Sequence, residues 1–299
     1  MLKGAFTAVV TPFDKNDQFN EEGFRQNLRF QIKNGIDGIV VLGTTGESPT
    51  IDTEERKKII ETAVQELKGK ARLLVGTGSN STKQTIANTL QAQELGADAA
   101  LVITPYYNKP TQEGLFQHYT ALSQVTSLPI IVYNAQGRTG LNMLTDTLMR
   151  LVDNPKIIGV KDSSYNIFQI NEIVELIGSR HPQFSILTGD DPMTLPAMSL
   201  GCHGVISVVS NLAPAAVRNL AHAALTGDYE EARKWHYLLM PFYKAAFIET
   251  NPIPIKAAME MCGMAAGHTR MPLCEMTPEN KKMLQQVIQA MPKEWYGKS

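Results

Sequence analysis

The chain has 299 residues with 43% hydrophobic and 19% charged content, and its formal net charge is −1. This composition is typical of a soluble globular protein with a sizeable core, and the small net charge favours neither a nucleic-acid nor a membrane partner. No apolar run reaches about 18 residues, the length that a membrane span needs. The three cysteines are widely spaced and include no Cys-x-x-Cys pair. We therefore expect no disulfide framework or zinc site, and a cytoplasmic location.

Short apolar, β-branched runs alternate with amphipathic helical stretches over about 210 residues. Strands are predicted at residues 5–10, 37–42, 72–77, 99–103, 129–133, 157–160, 184–187 and 203–208. Helices between them are predicted at 21–33, 112–125, 167–177 and 193–200, with another near 145–152. Two further helices are predicted at one end only: one begins at residue 52 or 53, and one, after the third strand, ends at residue 95. This alternation predicts an α/β fold, the (β/α)₈ TIM barrel. An open dinucleotide-binding sheet is the alternative, and it is weakened because no Gly-x-Gly-x-x-Gly turn follows the first strand.

After residue 213 the predicted strands stop and only helices follow. Four helices are predicted at 215–225, 229–247, 254–261 and 278–291. We therefore predict two domains: residues 1–225 form the barrel with the active site, and residues 226–299 form a C-terminal helical domain. The many Met and aromatic side chains of this extension are interpreted as packing residues.

A lysine stands at the end of the sixth predicted strand. The run from Ile157 to Val160 is apolar and, apart from Gly159, β-branched, and Lys161 follows it directly. Such a run is expected to be buried on both faces, and burial disfavours the charged ammonium form of a lysine. The amine can then lose its proton near neutral pH and attack a carbonyl group. The alternative is a lysine that extends from the strand end into solvent.

In a (β/α)₈ barrel the catalytic groups lie at the carboxyl ends of the strands. The residues near the other predicted strand ends are Thr44, Thr45, Tyr106, Tyr107, Tyr133, Arg138, Gly189 and Asp190. They form no cluster of His, Asp and Glu suited to a metal, so no metal is expected. Three of these features have a simpler explanation: the two threonines as a helix-capping turn, Tyr106 and Tyr107 as aromatic cover of a loop, and Arg138 as a solvated charge. Together with the lysine they favour imine chemistry, with tyrosine as proton carrier and arginine as carboxylate ligand.

Several of these segments carry a family resemblance. The matching segments are Gly43-Thr44-Thr45-Gly46-Glu47-Ser48, Tyr106-Tyr107-Asn108-Lys109-Pro110, Tyr133-Asn134, Gly137-Arg138-Thr139-Gly140, Gly159-Val160-Lys161-Asp162, Gly189-Asp190-Asp191, His203-Gly204-Val205-Ile206-Ser207 and Glu249-Thr250-Asn251-Pro252-Ile253-Pro254. They resemble the dihydrodipicolinate synthases, which belong to the class I aldolase family that includes N-acetylneuraminate lyase. The likeness covers nearly the whole chain. One departure is Ala135-Gln136, where members of the family commonly carry Val-Pro.

The resemblance implies a lyase-class synthase that condenses pyruvate with aspartate-4-semialdehyde, the entry step to diaminopimelate and lysine. Lys161 is then expected to form an imine with pyruvate, and Tyr133 to act as general acid and base. Thr44 would link Tyr133 to Tyr107 in a proton relay, with Tyr107 supplied by a neighbouring subunit. The resemblance implies no metal, nucleotide or flavin cofactor.

The resemblance also implies four substrate contacts and an assembly. Thr45 is expected to bind the carboxylate of pyruvate, and Arg138 the carboxylate of the semialdehyde. Backbone groups of Gly189 and Ile206 are expected to complete the pocket walls. The implied assembly is a homo-oligomer, either a dimer or a tetramer.

Two other functions stay open at this point. Another pyruvate-dependent aldolase, such as an N-acetylneuraminate or 2-keto-3-deoxy-acid lyase, would keep Lys161, Tyr133 and Thr45 but prefer a longer aldehyde. A non-catalytic binding protein on the same barrel is the second alternative. The arginine after the fifth strand and the paired tyrosines favour the synthase.

The family resemblance further points to a regulatory site for lysine. The residues at its positions are Ser48, Asn80, Gln84 and Tyr106. Inhibited members of the family carry a carboxylate where this chain has Gln84, and histidines where it has Thr53 and Arg56. A neutral amide gives a weaker hydrogen bond to a cationic ligand than a carboxylate does. We therefore predict weak inhibition by lysine, or none.

Overall fold

Eight parallel strands form a closed barrel in chain order in the computed structural model, which describes residues 1–297. The strands are β1 (Gly4–Ala8), β2 (Gly38–Val41), β3 (Arg72–Gly76), β4 (Ala99–Ile103), β5 (Ile130–Asn134), β6 (Ile157–Asp162), β7 (Ser185–Thr188) and β8 (Gly204–Ser207). Every predicted strand is present, and no strand end differs from the prediction by more than two residues. The predicted (β/α)₈ TIM barrel with a C-terminal helical extension is therefore confirmed.

Helices follow the strands and make up the C-terminal part of the chain. They are α1 (Glu21–Lys33), α2 (Thr53–Leu67), α3 (Thr82–Leu95), α4 (Gln112–Val125), α5 (Gln136–Thr139), α6 (Thr145–Leu151), α7 (Ile167–Ile173), α8 (Thr194–Ser199), α9 (Pro214–Leu225), α10 (Tyr229–Ala246), α11 (Ile253–Met261) and α12 (Pro278–Ala290). No helix within residues 1–297 is long and apolar enough to cross a membrane.

Local capping explains why several helices begin and end where the sequence predicts. The Asn20 side chain accepts a hydrogen bond from the Gly23 amide at the start of α1. Asp52 and Glu55 form a reciprocal capping box at the start of α2. Such caps satisfy backbone amides that have no partner within the helix. Gly96 ends α3 in the left-handed conformation, with φ 93°, which a glycine adopts without a steric penalty.

The largest differences from the sequence prediction lie in two helical segments. The sequence predicts no helix between the fifth strand and the helix near 145–152, but residues 136–139 form α5, a single turn that ends at Gly140 with φ 67°. The helix predicted at 167–177 ends as an α-helix at Ile173 and continues as a π-helical turn over Val174–Gly178. A single helical turn has no hydrophobic period, so the sequence pattern gives no signal for α5.

The chain divides into two compact units that are discontinuous in sequence. The first comprises Met1–Gly4 and Leu74–Ile206 and contains β4 to β7. The second comprises Ala5–Leu73 and the residues from Ser207 onward, and it contains β2 and helices α9 to α12. The predicted domain boundary between residues 225 and 226 falls inside the second unit and stays a prediction.

Candidate active site

Lys161 lies within β6 as its fifth residue, one position before the strand ends. It is paired with Tyr133 in β5 and with Leu187 in β7. Only 6% of Lys161 is exposed, and its Nζ lies 4.1 Å from the centroid of the Tyr133 ring. The fold therefore places the predicted nucleophile and the predicted general acid and base against each other.

The carboxylate that follows the lysine is fully engaged in hydrogen bonds. Asp162 Oδ2 accepts from Asn134 Nδ2 at 2.9 Å and from Gln169 Nε2 at 3.1 Å. Its Oδ1 accepts from the backbone and the hydroxyl of Ser164. Buried charges with several hydrogen bonds have fixed orientations because breaking any bond leaves an uncompensated polar group. Asp162 therefore anchors the end of β6 and, with it, the backbone that carries Lys161.

Gly189 follows β7 at a position where the lysine side chain leaves no space for a Cβ atom. A Cβ atom built there would lie 2.4 Å from Lys161 Cε and 1.9 Å from Ser163 Oγ. The Gly189 amide donates to the Asp162 carbonyl at 2.7 Å. Any side chain at this position would displace Lys161. This close approach explains why a glycine is needed here, which the sequence alone did not show.

A second carboxyl group lies beside the lysine. Asp190 is buried, and its Oδ2 has no hydrogen-bond partner among residues 1–297. Burial raises the pKa of Asp190 to about 7, while the nearby charge of Lys161 acts in the opposite direction. Tyr165, a non-glycine residue with φ 57°, lies beside this carboxyl. Although 61% of Tyr165 is exposed, partial desolvation and the negative charge of Asp190 both raise its pKa. Asp190 is one of the predicted strand-end residues and has no predicted role, and no sequence pattern points to Tyr165.

Asp190 gives a prediction about stability and pH. The folded chain binds this proton more tightly than the unfolded chain, whose carboxyl keeps an ordinary pKa of 3.8. The free energy of unfolding should therefore fall as pH rises from about 4 to about 7, by a few kcal/mol from this group. Asp190→Asn removes the titration, so the variant should gain stability relative to the parent across that window. Urea unfolding at several pH values measures this gain, and parallel curves for the two proteins would contradict it.

Arg138 lies on α5 and is exposed. Its backbone amide donates to the Ala135 carbonyl at 2.9 Å. The Thr139 hydroxyl donates to the same carbonyl and so helps to close the turn. Ala135 and Gln136, which depart from the family pattern, lie at the N-cap and at the first position of α5. The first position of a helix readily accommodates a proline.

The segment after β4 holds its two tyrosines differently. Tyr106 is half-buried, whereas Tyr107 is 89% exposed with φ 71°. Asn108 Nδ2 donates to the Asn80 carbonyl at 2.7 Å and ties this segment to the residues before α3. A strained backbone that presents an aromatic side chain to solvent is a feature of functional sites. Ile206, by contrast, lies fully buried in β8.

In the second unit, the loop after β2 carries the two predicted threonines. Thr45 is buried and Thr44 half-buried. Asn251 Nδ2 donates to Thr45 Oγ1 at 3.0 Å. The Glu47 amide donates to the Thr44 carbonyl at 3.1 Å, and the Thr11 hydroxyl donates to the Gly46 carbonyl at 2.7 Å. The loop is therefore a defined turn with a fixed Thr45 hydroxyl.

A buried ion pair fixes the same loop two residues further on. Glu47 Oε1 lies 2.6 Å from Lys256 Nζ, and both side chains are buried. Glu47 Oε2 accepts from the Arg270 amide at 2.8 Å. Lys256 Nζ lies 4.3 Å and the Arg270 guanidinium carbon 4.0 Å from the centroid of the Phe13 ring. Neither partner of the pair was predicted as a functional residue, because a buried ion pair between distant segments leaves no local motif.

Two side chains of the predicted regulatory site for lysine make hydrogen bonds to neighbours within the same compact unit. Gln84 Nε2 donates to Asn88 Oδ1 at 2.9 Å on α3. Arg56 Nη1 donates to the Ser48 hydroxyl at 3.4 Å. Burial lowers the pKa of Arg56 to about 10, so it keeps its positive charge at neutral pH.

No group of three or more His, Cys, Asp or Glu side chains within residues 1–297 is arranged to hold a metal ion. The first unit offers a buried amine against the ring of a phenol, with a second carboxyl group beside them, on the strands of a barrel. On a (β/α)₈ barrel, such an arrangement is suited to nucleophilic attack by an amine on a carbonyl compound.

Comparison with known proteins places the chain more narrowly. The model of the dihydrodipicolinate synthetase family matches residues 1–291, and the chain belongs to this family. A 4-hydroxy-tetrahydrodipicolinate synthase of Protochlamydia amoebophila is 52% identical over 294 residues, which cover 98% of each chain.

Solved structures agree with this assignment. The dihydrodipicolinate synthase of Thermotoga maritima is 42% identical with a TM-score of 0.95, and the match covers 97% of this chain and 98% of that one. The chloride-inhibited enzyme of Acinetobacter baumannii, solved in complex with pyruvate, is 34% identical with a TM-score of 0.94 and the same coverage.

Proposed function

We propose that this chain condenses pyruvate with L-aspartate-4-semialdehyde to give 4-hydroxy-tetrahydrodipicolinate, on the route to diaminopimelate and lysine. The observation that carries the proposal is the buried Lys161 against the Tyr133 ring, in a chain of the family described above. The test is to incubate the purified protein with both substrates and to follow the product by mass spectrometry. Turnover of N-acetylmannosamine or of 2-keto-3-deoxy acids in place of the semialdehyde would contradict the proposal.

The reaction uses the lysine as a nucleophile. The amine of Lys161 attacks the ketone carbon of pyruvate, a C–N bond forms, and the ketone oxygen leaves as water. The imine makes the pyruvate methyl group acidic, and loss of a proton gives an enamine. The enamine carbon adds to the aldehyde carbon, and the aldehyde oxygen takes up a proton. The amino group of the semialdehyde part then attacks the imine carbon, which closes the ring and releases Lys161.

Tyr133 carries the protons in this scheme. Its ring lies against the Lys161 amine, within the first unit, so its hydroxyl is available to protonate the leaving water and the new alkoxide. We propose that Thr44 connects it to Tyr107 of a second copy of the chain. The support for this step is the 89% exposure of Tyr107, since such a side chain makes few contacts with its own chain.

Arg138 gives a prediction that separates the two substrates. We propose that its guanidinium binds the carboxylate of the semialdehyde as a bidentate ligand, while Thr45 binds that of pyruvate. Arg138→Ala should then raise the KM for the semialdehyde by roughly tenfold or more, because a hydrogen bond to a charged group contributes about 1.5–3 kcal/mol. Trapping of pyruvate on Lys161 should be unchanged. Arg150→Ala, which removes an arginine paired with Glu113 on the surface, is the control and should leave both substrates unaffected.

Inhibition by lysine gives a further prediction. Gln84 supplies no charge to a lysine amino group, and the positively charged Arg56 repels one. The inhibition constant should therefore lie above about 0.1 mM, which corresponds to roughly −5.5 kcal/mol of binding. Gln84→Glu combined with Arg56→His should increase sensitivity to lysine, whereas Gln117→Glu on α4 should not. Strong inhibition of the unmodified protein, measured in steady-state assays, would contradict the prediction.

We propose a homo-oligomer, because the relay requires Tyr107 from another copy. A cytoplasmic location is proposed as well. It is supported by Cys202, Cys262 and Cys274, which are all free thiols and fit a reducing compartment.

A further inference from the structure

One short segment of the second unit holds the loop of Thr45 at two points. The segment runs from Asn251 to Lys256, at the start of α11, and the loop comprises residues 43–48. Asn251 Nδ2 donates to Thr45 Oγ1 at 3.0 Å, and Lys256 Nζ lies 2.6 Å from Glu47 Oε1. The two contacts are two residues apart in the loop, so together they fix both its position and its rotation.

All four side chains are buried, so water does not compete for these contacts. Glu47 has a left-handed backbone with φ 55°, a conformation that is unfavourable for a non-glycine residue and persists only where its surroundings enforce it. Lys256 Nζ also donates to the His268 carbonyl at 2.6 Å. The ion pair is therefore an anchor for the loop backbone, and Asn251 is the group that touches the functional side chain.

The direction of the hydrogen bond between Asn251 and Thr45 decides what Thr45 can bind. A hydroxyl group has one donor hydrogen and two acceptor lone pairs. Because the amide N–H of Asn251 occupies a lone pair of Thr45 Oγ1, the hydroxyl hydrogen points away from Asn251 and is left to donate. A carboxylate accepts hydrogen bonds but donates none, so a threonine held in this way is matched to a carboxylate.

We propose that Asn251 is a positioning residue that holds the Thr45 hydroxyl as a hydrogen-bond donor to the carboxylate of pyruvate. The inference rests on the proposed function, since it assumes that Thr45 contacts pyruvate. Asn251 acts through Thr45 and contributes selectively to pyruvate binding.

The test is a double-mutant cycle with Asn251→Ala, Thr45→Val and the two combined. Each single change should raise the KM for pyruvate by about five- to tenfold, the effect of losing one hydrogen bond of about 1–1.5 kcal/mol. The KM for the semialdehyde should stay within about twofold, because losing that hydrogen bond does not touch its binding. In the combined variant Asn251→Ala should add less than about twofold to the effect of Thr45→Val, because residues that act through one another are not additive.

Asn27→Ala is the matched control. Asn27 and Asn251 are each 5% exposed, and Asn27 Nδ2 also donates one hydrogen bond, to the Ala265 carbonyl at 2.6 Å. The control should lower thermal stability in the same way as Asn251→Ala but leave the KM for pyruvate unchanged. Asn251→Asp keeps the shape of the side chain and replaces the donor by an acceptor. It should raise the KM for pyruvate at least as much as Asn251→Ala. If the alanine variant does not fold, the KM of Asn251→Asp tests the inference in its place.

Independent, additive effects of Asn251→Ala and Thr45→Val on the KM for pyruvate would overturn the inference, as would an unchanged KM in Asn251→Asp. Either result leaves the proposed function intact as long as the unmodified protein forms a pyruvate adduct on Lys161. Absence of that adduct in the unmodified protein would overturn both proposals.

Discussion

Lys161→Ala is expected to abolish both the covalent pyruvate adduct and turnover, with a loss in kcat of at least about 10⁴-fold. The reason is that every bond-making step passes through the imine, and alanine supplies no amine in its place. The variant should fold, because removing the amine leaves the hydrogen bonds of Asp162 to Asn134 and Gln169 in place. Stopped assays with both substrates measure the loss, and thermal unfolding checks the fold.

Lys156→Ala is the matched control for this prediction. Lys156 precedes the same strand and donates from Nζ to the Ser123 carbonyl at 2.7 Å, so it is a structural lysine close in sequence to Lys161. The control should keep the adduct and most of the activity. Retained turnover in Lys161→Ala, or an adduct that maps to Lys156 or Lys109, would show that another amine is the nucleophile.

Tyr133→Phe is expected to lower kcat by about 10²-fold or more, which is the usual contribution of a general acid or base. The ring that packs against Lys161 is retained, so only the hydroxyl is lost. Imine formation should become slow rather than absent, because the amine is still present. Rapid-quench trapping with borohydride separates this rate from overall turnover.

The control for Tyr133 is a tyrosine whose hydroxyl has a structural role. The Tyr119 hydroxyl donates to the Val102 carbonyl at 2.8 Å inside the same unit. Tyr119→Phe should reduce stability and leave the rate of adduct formation almost unchanged. If the two phenylalanine variants lost activity to the same extent, Tyr133 would be a packing residue and not a proton carrier.

The barrel could be predicted from the sequence because its buried strands are short apolar runs that can be recognised locally. The run at 157–160 is apolar and, apart from Gly159, β-branched, and the run at 99–103 is apolar throughout, so the ends of both strands were placed within two residues. Asn20 and Asp52 are residue types that favour the N-cap position, and they indicate the starts of α1 and α2. The short helix α5 has no such pattern, and no helix is predicted at its four residues.

The candidate site could be predicted only where the chemistry lies at a strand end. Lys161, Tyr133 and Gly189 follow from that rule and from the family resemblance, and the fold places the first two in contact. The contact between Thr45 and Asn251 joins residues 206 positions apart, and no local period encodes it. The raised pKa of Asp190 likewise arises from burial, which is a property of the folded chain. Roles that depend on distant packing therefore had to come from the structure.

The central claim is that Lys161 forms an imine with pyruvate, and one measurement tests it directly. The purified protein is incubated with pyruvate and borohydride, its intact mass is recorded, and the modified peptide is sequenced. We predict a single reduced pyruvate adduct per chain, located on Lys161 and absent from Lys161→Ala. An unmodified mass under conditions in which the protein turns over both substrates, or an adduct on any other residue, would contradict the account.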